Sequence, residues 1–254
     1  MFNQVVSQYK EPWLHMQMFG NLPAVQNDTQ MLPQIIDTAA SMGADRDNVR
    51  FLLPAANRNF PGFKKIVPLN TSANRSKILS ADGMYTSDAN AAIGIATGDC
   101  QMIFAKNLAT NMLVVAHGGK PAMRCWDEKG TYEANIVDRV LEKLNVAAFA
   151  SCIRIHIAGT IAAQKYRHEQ PSSSQDRDLF LQHYGSDVFW GDTIDEGYLD
   201  LVAMTRITAA RHKLTPGQVT HDGIDTVSHP SLVSYRQNGT RRRNIGIAVN
   251  LHPH

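Results

Sequence analysis

The sequence predicts one mixed α/β domain, on three observations. Short, β-branched apolar runs recur along the chain, amphipathic helical periods stand between them, and no Pro/Gly/Ser stretch is long enough to be an interdomain linker. At 254 residues the chain can bury a large core. Apolar content of 43% and charged content of 19% describe an ordinary globular protein. A net charge of +2 gives no broad footprint for nucleic acid or membrane. Arg241-Arg242-Arg243 is the one dense basic cluster and is too short for a binding tract.

The elements follow in order. Asn27 or Thr29 caps a helix over about Met31 to Met42, with Pro33 in its first turn and Gly43 as its stop. Strands are expected at Val49–Leu53 and Lys65–Leu69, with an irregular polar stretch from Thr71 to Ser80. Ala91–Ala96, Met102–Ala105 and Met112–Val115 read as buried strands. Tyr132–Asn145 reads as a helix, with Ile136, Val137, Val140, Leu141 and Leu144 on one face. Ile153–Ile157 alternates like a half-exposed strand, which puts His156 on the solvated phase. Pro171–Ser174 is a loop. Helices are expected at Asp176–His183 and Asp195–Lys213, the second turning Leu199, Val202, Ile207 and Ala210 inward. Val219–Leu251 reads as two or three strands around a turn at Asn238-Gly239.

No apolar span reaches 18 residues, so no membrane helix is expected. The start of the chain lacks the basic and apolar segments of a signal peptide. Three cysteines, Cys100, Cys125 and Cys152, argue against a disulfide framework. The cytoplasm is therefore the default compartment, and the Asn-x-Ser/Thr triplets at Asn27, Asn70, Asn74 and Asn238 are expected to carry no glycan. Cys125 and Cys152, with Trp13, Trp126 and Trp190, are read as packing residues.

Cys100 and His117 each follow an apolar run, where a rigid strand end can aim a polar group into a cleft. A thiol and an imidazole there could be two metal ligands, or a nucleophile and its base. They could equally be a buried thiol and a hydrogen-bonded histidine without chemistry.

Ala81-Asp82-Gly83 with Thr86, then Gly98-Asp99-Cys100 and His117-Gly118-Gly119, resemble the laccase-domain proteins, also called the multicopper polyphenol oxidase or peptidoglycan editing factor family. The interval of 17 residues from Cys100 to His117 fits that pattern. Ala158-Gly159-Thr160-Ile161 with Tyr166, Tyr198–Leu201, and Val233-Ser234-Tyr235-Arg236 with Arg243 are similar to its later segments and come in the same order. The resemblance covers about residues 48 to 251. It implies residues 1–254 as a single domain, with 1–47 a variable N-terminal region.

Membership would imply a single-domain α/β sandwich with mixed sheets and a zinc held by two histidines and a cysteine. Cys100 and His117 map onto two ligands; the third falls at Asn57, a weak oxygen donor, and Asp225 is an alternative or a turn residue. Zinc binding is thus expected to be weak or absent. The implied substrate is a small molecule, a purine nucleoside or related compound, cleaved by phosphorolysis or deaminated. Neither nucleic acid nor membrane is an expected partner. Asp99 is read as a general acid or base, or else as a turn cap. Lys120, Arg236 and Arg243 are candidates for anion or ribose contacts, and Tyr235 for stacking on a base. The rival readings are a degenerate homologue that only binds, and a metal-free Cys-His hydrolase or amidase. A multicopper site is not expected, because His252-Pro-His254 is the one His-x-His pair.

Overall fold

The computed structural model describes residues 4–22, 28–54, 62–69, 78–166, 173–190, 197–239 and 243–252. The strands in chain order are β1 (Val5–Glu11), β2 (Leu14–Leu22), β3 (Val49–Leu53), β4 (Ile66–Pro68), β5 (Ile78–Ser80), β6 (Gly83–Thr86) and β7 (Ala92–Thr97). They continue with β8 (Gln101–Asn107), β9 (Met112–Gly118), β10 (Ile153–Ala158), β11 (Phe189–Trp190), β12 (Tyr198–Leu199), β13 (Val219–His221) and β14 (Arg243–Asn250). The helices are α1 (Asp28–Ser41), α2 (Lys120–Met123), α3 (Ile136–Lys143), α4 (Val146–Phe149), α5 (Ser173–Tyr184), α6 (Leu201–Arg211) and α7 (Tyr235–Asn238).

Two six-stranded mixed sheets form the body, ordered β1-β2-β14-β7-β3-β5 and β13-β10-β8-β9-β6-β4. Strand alternation assigns the faces. In β14, Ile245, Ile247 and Val249 join a cluster with Ile35 and Ala39 of α1, while Ala248 turns to the opposite face. In β8, Met102 and Phe104 meet Met16, Met18, Ile93 and Ile95 between the sheets. Ile103 and Ala105 instead pack with Val140 and Leu141 of α3 and Met204 of α6. The result is four layers: α1, first sheet, second sheet, and an outer helical layer.

The expected helix over 132–145 keeps its five apolar positions buried and shortens to α3, capped by Asn135. Six expectations need correction. The stretch read as irregular as far as Ser80 ends in β5, and α5 begins at Ser173, inside the loop expected over Pro171–Ser174. β1 and β2 were not anticipated, yet they bring residues from before position 48 into the first sheet. The tail is no hairpin: β13 and β14 belong to different sheets, and Gly239 caps α7 at φ 60°. Helix α6 starts at Leu201, after the Asp200 cap, and Ala210 faces solvent. His156 is buried rather than solvated, because Tyr9 of β1 stacks on it with ring centroids 3.9 Å apart. No helix among the described residues is long and apolar enough to cross a membrane. The side chain of Trp190 and the stretch 170–172 lie outside what is described.

Candidate functional site

Strand β7 lies in the first sheet and β8 in the second, so Gly98-Asp99-Cys100 is the short crossing between them. Cys100 comes just before Gln101, which pairs with Gly118, while His117 pairs with Met102. The crossing is anchored from below. The Gln101 side chain is fully buried, donating to Leu201 O at 3.1 Å and to Thr205 Oγ1 at 2.9 Å.

The His-Gly-Gly sequence then has a spatial reason. A Cβ on Gly118 would lie 2.5 Å from Gln101 Cγ. One on Gly119 would lie 2.9 Å from His117 Nε2 and 3.0 Å from Cys100 Sγ. The imidazole and the thiol therefore converge on one point and can be no further apart than those two distances laid end to end. His117 Nδ1 faces away, 3.2 Å from Asp82 Oδ1. Burial alone would depress the His117 pKa, but the Cys100 charge, followed by the Asp82 contact, outweighs it and raises the value to about 10.

Tyr166 is buried beside this pair. Burial first, then the Cys100 charge, pushes its phenol pKa up, opposed by Arg236, whose guanidinium carbon lies 4.2 Å from the ring centroid. Lys120, at the start of α2, is held down to about 8 by burial foremost, with Arg124 and Arg236 adding repulsion and Asp176 opposing it. Arg124 is itself paired with Asp176. The rim beside the pair is therefore a cationic corner with one carboxylate in it.

Asp99 is buried, and both its oxygens are engaged: Thr226 Oγ1 donates at 3.1 Å and the Arg236 backbone N–H at 2.8 Å. The second bond ties α7 to the crossing. Asp225 accepts from the Ala162 and Val227 amides and from Lys165 Nζ, which hold its carboxyl down at about 2 against the effect of burial. Those contacts commit it to the turn. Tyr235 is 58% exposed, next to Gly98. Arg243 opens β14, and the following residue, Asn244, pairs with Thr97 at the same end of β7 as the crossing. Asn57 lies outside the described residues. Cys125 is fully buried, as a packing residue should be, and Cys152 is half-buried.

Asp82, Gln101, Tyr166 and Asp176 received no role from sequence reasoning. Asp82 and Tyr166 did stand inside motifs; nothing in the sequence pointed to Asp176.

Zinc finds only some of its donors here. Cys100 Sγ and the outward nitrogen of His117 suit that ion, and a carboxylate behind the histidine is its usual support. Among the described residues, however, no group of three or more His, Cys, Asp or Glu side chains could hold a metal. Two donors among the described residues do not complete a catalytic zinc site.

Fold and site together define a two-sheet α/β sandwich with a cysteine–histidine centre at the crossing between its sheets. The sequence matches the family described as multi-copper polyphenol oxidoreductase laccase over residues 63–250, and the chain belongs to that family. Its fold is similar to that of Bacillus licheniformis hypothetical protein YfiH (TM-score 0.72, 16% identity, covering 93% of this chain and 92% of that one). It is also similar to YlmD from Geobacillus stearothermophilus (TM-score 0.68, 14% identity, 98% of each chain). A third likeness is to Neisseria meningitidis protein NMB0706 (TM-score 0.68, 16% identity, 96% of this chain and 98% of that one). Among curated proteins none matches the sequence.

Proposed function

We propose that this chain is a small-molecule enzyme whose reaction centre is the Cys100–His117 pair, with a purine nucleoside or a related compound as substrate. The observation that carries the reading is the convergence of Cys100 Sγ and His117 Nε2 on the point above Gly119. The cationic corner of Lys120 and Arg236 supports an anion beside that point, as phosphorolysis of a glycosidic bond requires. Tyr235 supplies an exposed ring for a base. Asp99, beside Cys100, also holds the Arg236 end of α7 to the crossing. If zinc is bound, Cys100 and His117 would hold it, and it would supply an activated water.

A second reading is a metal-free Cys-His hydrolase or amidase. The raised His117 favours it, because an imidazolium beside a thiol is the pairing that supplies a reactive thiolate. His117 then returns a proton to the leaving group after Cys100 attacks.

The test has two arms. Inosine and adenosine are incubated with the chain with and without phosphate and zinc, for wild type and Cys100→Ala. Iodoacetamide labelling at neutral pH is followed by peptide mass spectrometry. Nucleoside loss that vanishes in Cys100→Ala supports the first reading; rapid Cys100 labelling without nucleoside loss supports the second. If no nucleoside is consumed and Cys100 labels no faster than Cys152, the chain is a binding homologue. Zinc retained after dialysis against a mild chelator is expected to fall short of one equivalent and to rise in Asn57→His. A full equivalent in wild type would mean that a third ligand exists.

A further inference from the structure

We propose that Asp82 is a positioning residue that sets which nitrogen of His117 carries the proton, and that the backbone amide of Lys64 enables it to do so. The proposal rests on the reading of Cys100–His117 as the reaction centre. Asp82 is completely buried, and three of its contacts join it to His117 and Lys64. Its carbonyl accepts from the His117 backbone N–H at 2.8 Å, which fixes the distance between the two residues. Its Oδ1 lies 3.2 Å from His117 Nδ1, and its Oδ2 accepts from the Lys64 backbone N–H at 2.8 Å.

A carboxylate can only accept, so the partner nitrogen must be the one that donates. Nδ1 then carries hydrogen, and whenever the ring is neutral the Nε2 lone pair is left facing Cys100 Sγ. That is the tautomer a general base or a metal ligand needs.

Lys64 adds a second constraint. It sits at φ 50°, in the left-handed region, and its side chain is drawn away to Arg124 O at 2.8 Å and Glu133 at 3.4 Å. The loop around it is tied to the Asp82 segment from both sides: the Asp82 amide donates to Gly62 O and the Gly83 amide to Lys65 O. The Lys64 N–H is thus a fixed donor aimed at one arm of the Asp82 side chain. It matters most in Asp82→Asn, an isosteric change. The fixed donor claims the carboxamide oxygen, which leaves the NH2 arm facing His117 Nδ1. Two donors cannot meet, so Nδ1 must give up its hydrogen and the proton moves to Nε2.

The experiment reads that proton directly. Protein labelled with imidazole-15N histidine is prepared in a Cys100→Ala background, which removes the Cys100 contribution that raises the His117 pKa, and is read at a pH where the ring is neutral. The His117 signals are identified by their loss in His117→Gln. We expect Nδ1 protonated and Nε2 bare in Cys100→Ala, and the reverse in Cys100→Ala/Asp82→Asn. In the otherwise unaltered chain, Asp82→Asn should slow iodoacetamide labelling of Cys100 by about 10- to 100-fold. A purely structural role for Asp82 would leave the tautomer as it was.

The inference is overturned if His117 carries its proton on Nε2 in Cys100→Ala, a measurement that needs no Asp82 variant and no folding of one. It is also overturned if Asp82→Asn leaves Nδ1 protonated. A tautomer swap together with slow labelling of wild-type Cys100 would keep this inference and sink the reaction-centre reading; an unchanged tautomer with fast labelling would do the opposite.

Discussion

At Gly119 one methyl group decides whether the site can form. The residue has φ −75° and ψ 159°, a conformation alanine adopts freely, so the restriction is space alone. In Gly119→Ala the added carbon would press on both His117 Nε2 and Cys100 Sγ. We expect Cys100 labelling by iodoacetamide to fall by about 100-fold, since displacing reacting groups by an ångström has that scale of effect. Stability should change by only about 1 kcal/mol, because the methyl meets side-chain ends at a cleft rather than a packed core. Urea denaturation of the variant checks the second statement. An unchanged labelling rate would mean that the two side chains do not converge.

Among the elements, α3 shows how one residue joins a helix to its surroundings. Asn135 Oδ1 accepts from the Val137 and Asp138 amides, and Asp138 returns a bond to the Asn135 amide. The Asn135 side-chain Nδ2 meanwhile donates to Tyr184 OH of α5 at 2.8 Å and to Thr208 Oγ1 of α6 at 3.0 Å. Asn135→Ala removes a cap and leaves buried partners unsatisfied, so a loss of about 3 kcal/mol is expected. A loss below about 1 kcal/mol in urea denaturation would show that water replaces those bonds. The apolar period of this helix was plain in the sequence, because a helix that packs by one stripe carries that stripe in its spacing. The β1–β2 hairpin was not recognised, although Leu14, Met16 and Met18 alternate and are all fully buried. Leu14, Met16 and Met18 lack the β-branching that marks a strand, which makes a weak strand signal.

For the whole molecule, acid sensitivity should concentrate where the first sheet's hairpin covers the second sheet. His156, stacked under Tyr9 with Nδ1 3.0 Å from Thr220 Oγ1, is held down to about 4 by burial and by the His221 charge. The unfolded chain binds a proton there near 6.5 while the folded one does not. Stability from this group is therefore present above about 6.5 and is lost as pH falls toward 4, by up to about 3 kcal/mol. His156→Phe keeps a ring against Tyr9 and removes the titration. Its urea midpoint should fall less than that of the wild type between pH 7 and pH 4; parallel acid limbs would assign the sensitivity elsewhere.

Residue order alone determined the α/β class, the strands that flank Cys100 and the one that carries His117, the outer helix α3 and the family. Each is written in local spacing or in a motif, and local spacing survives without any knowledge of neighbours. Tertiary structure decided the rest. Asp82 became the partner of His117 because β6 pairs beside β9, and His156 became buried because a hairpin more than a hundred residues earlier lies over it. Asp99 and Asp225, candidates by their place in the sequence, are held by donors from Arg236, Thr226, Ala162 and Lys165, which the sequence alone did not put beside them. A side chain's role depends on which donors and acceptors reach it, and in a two-sheet sandwich those come from strands far apart in sequence.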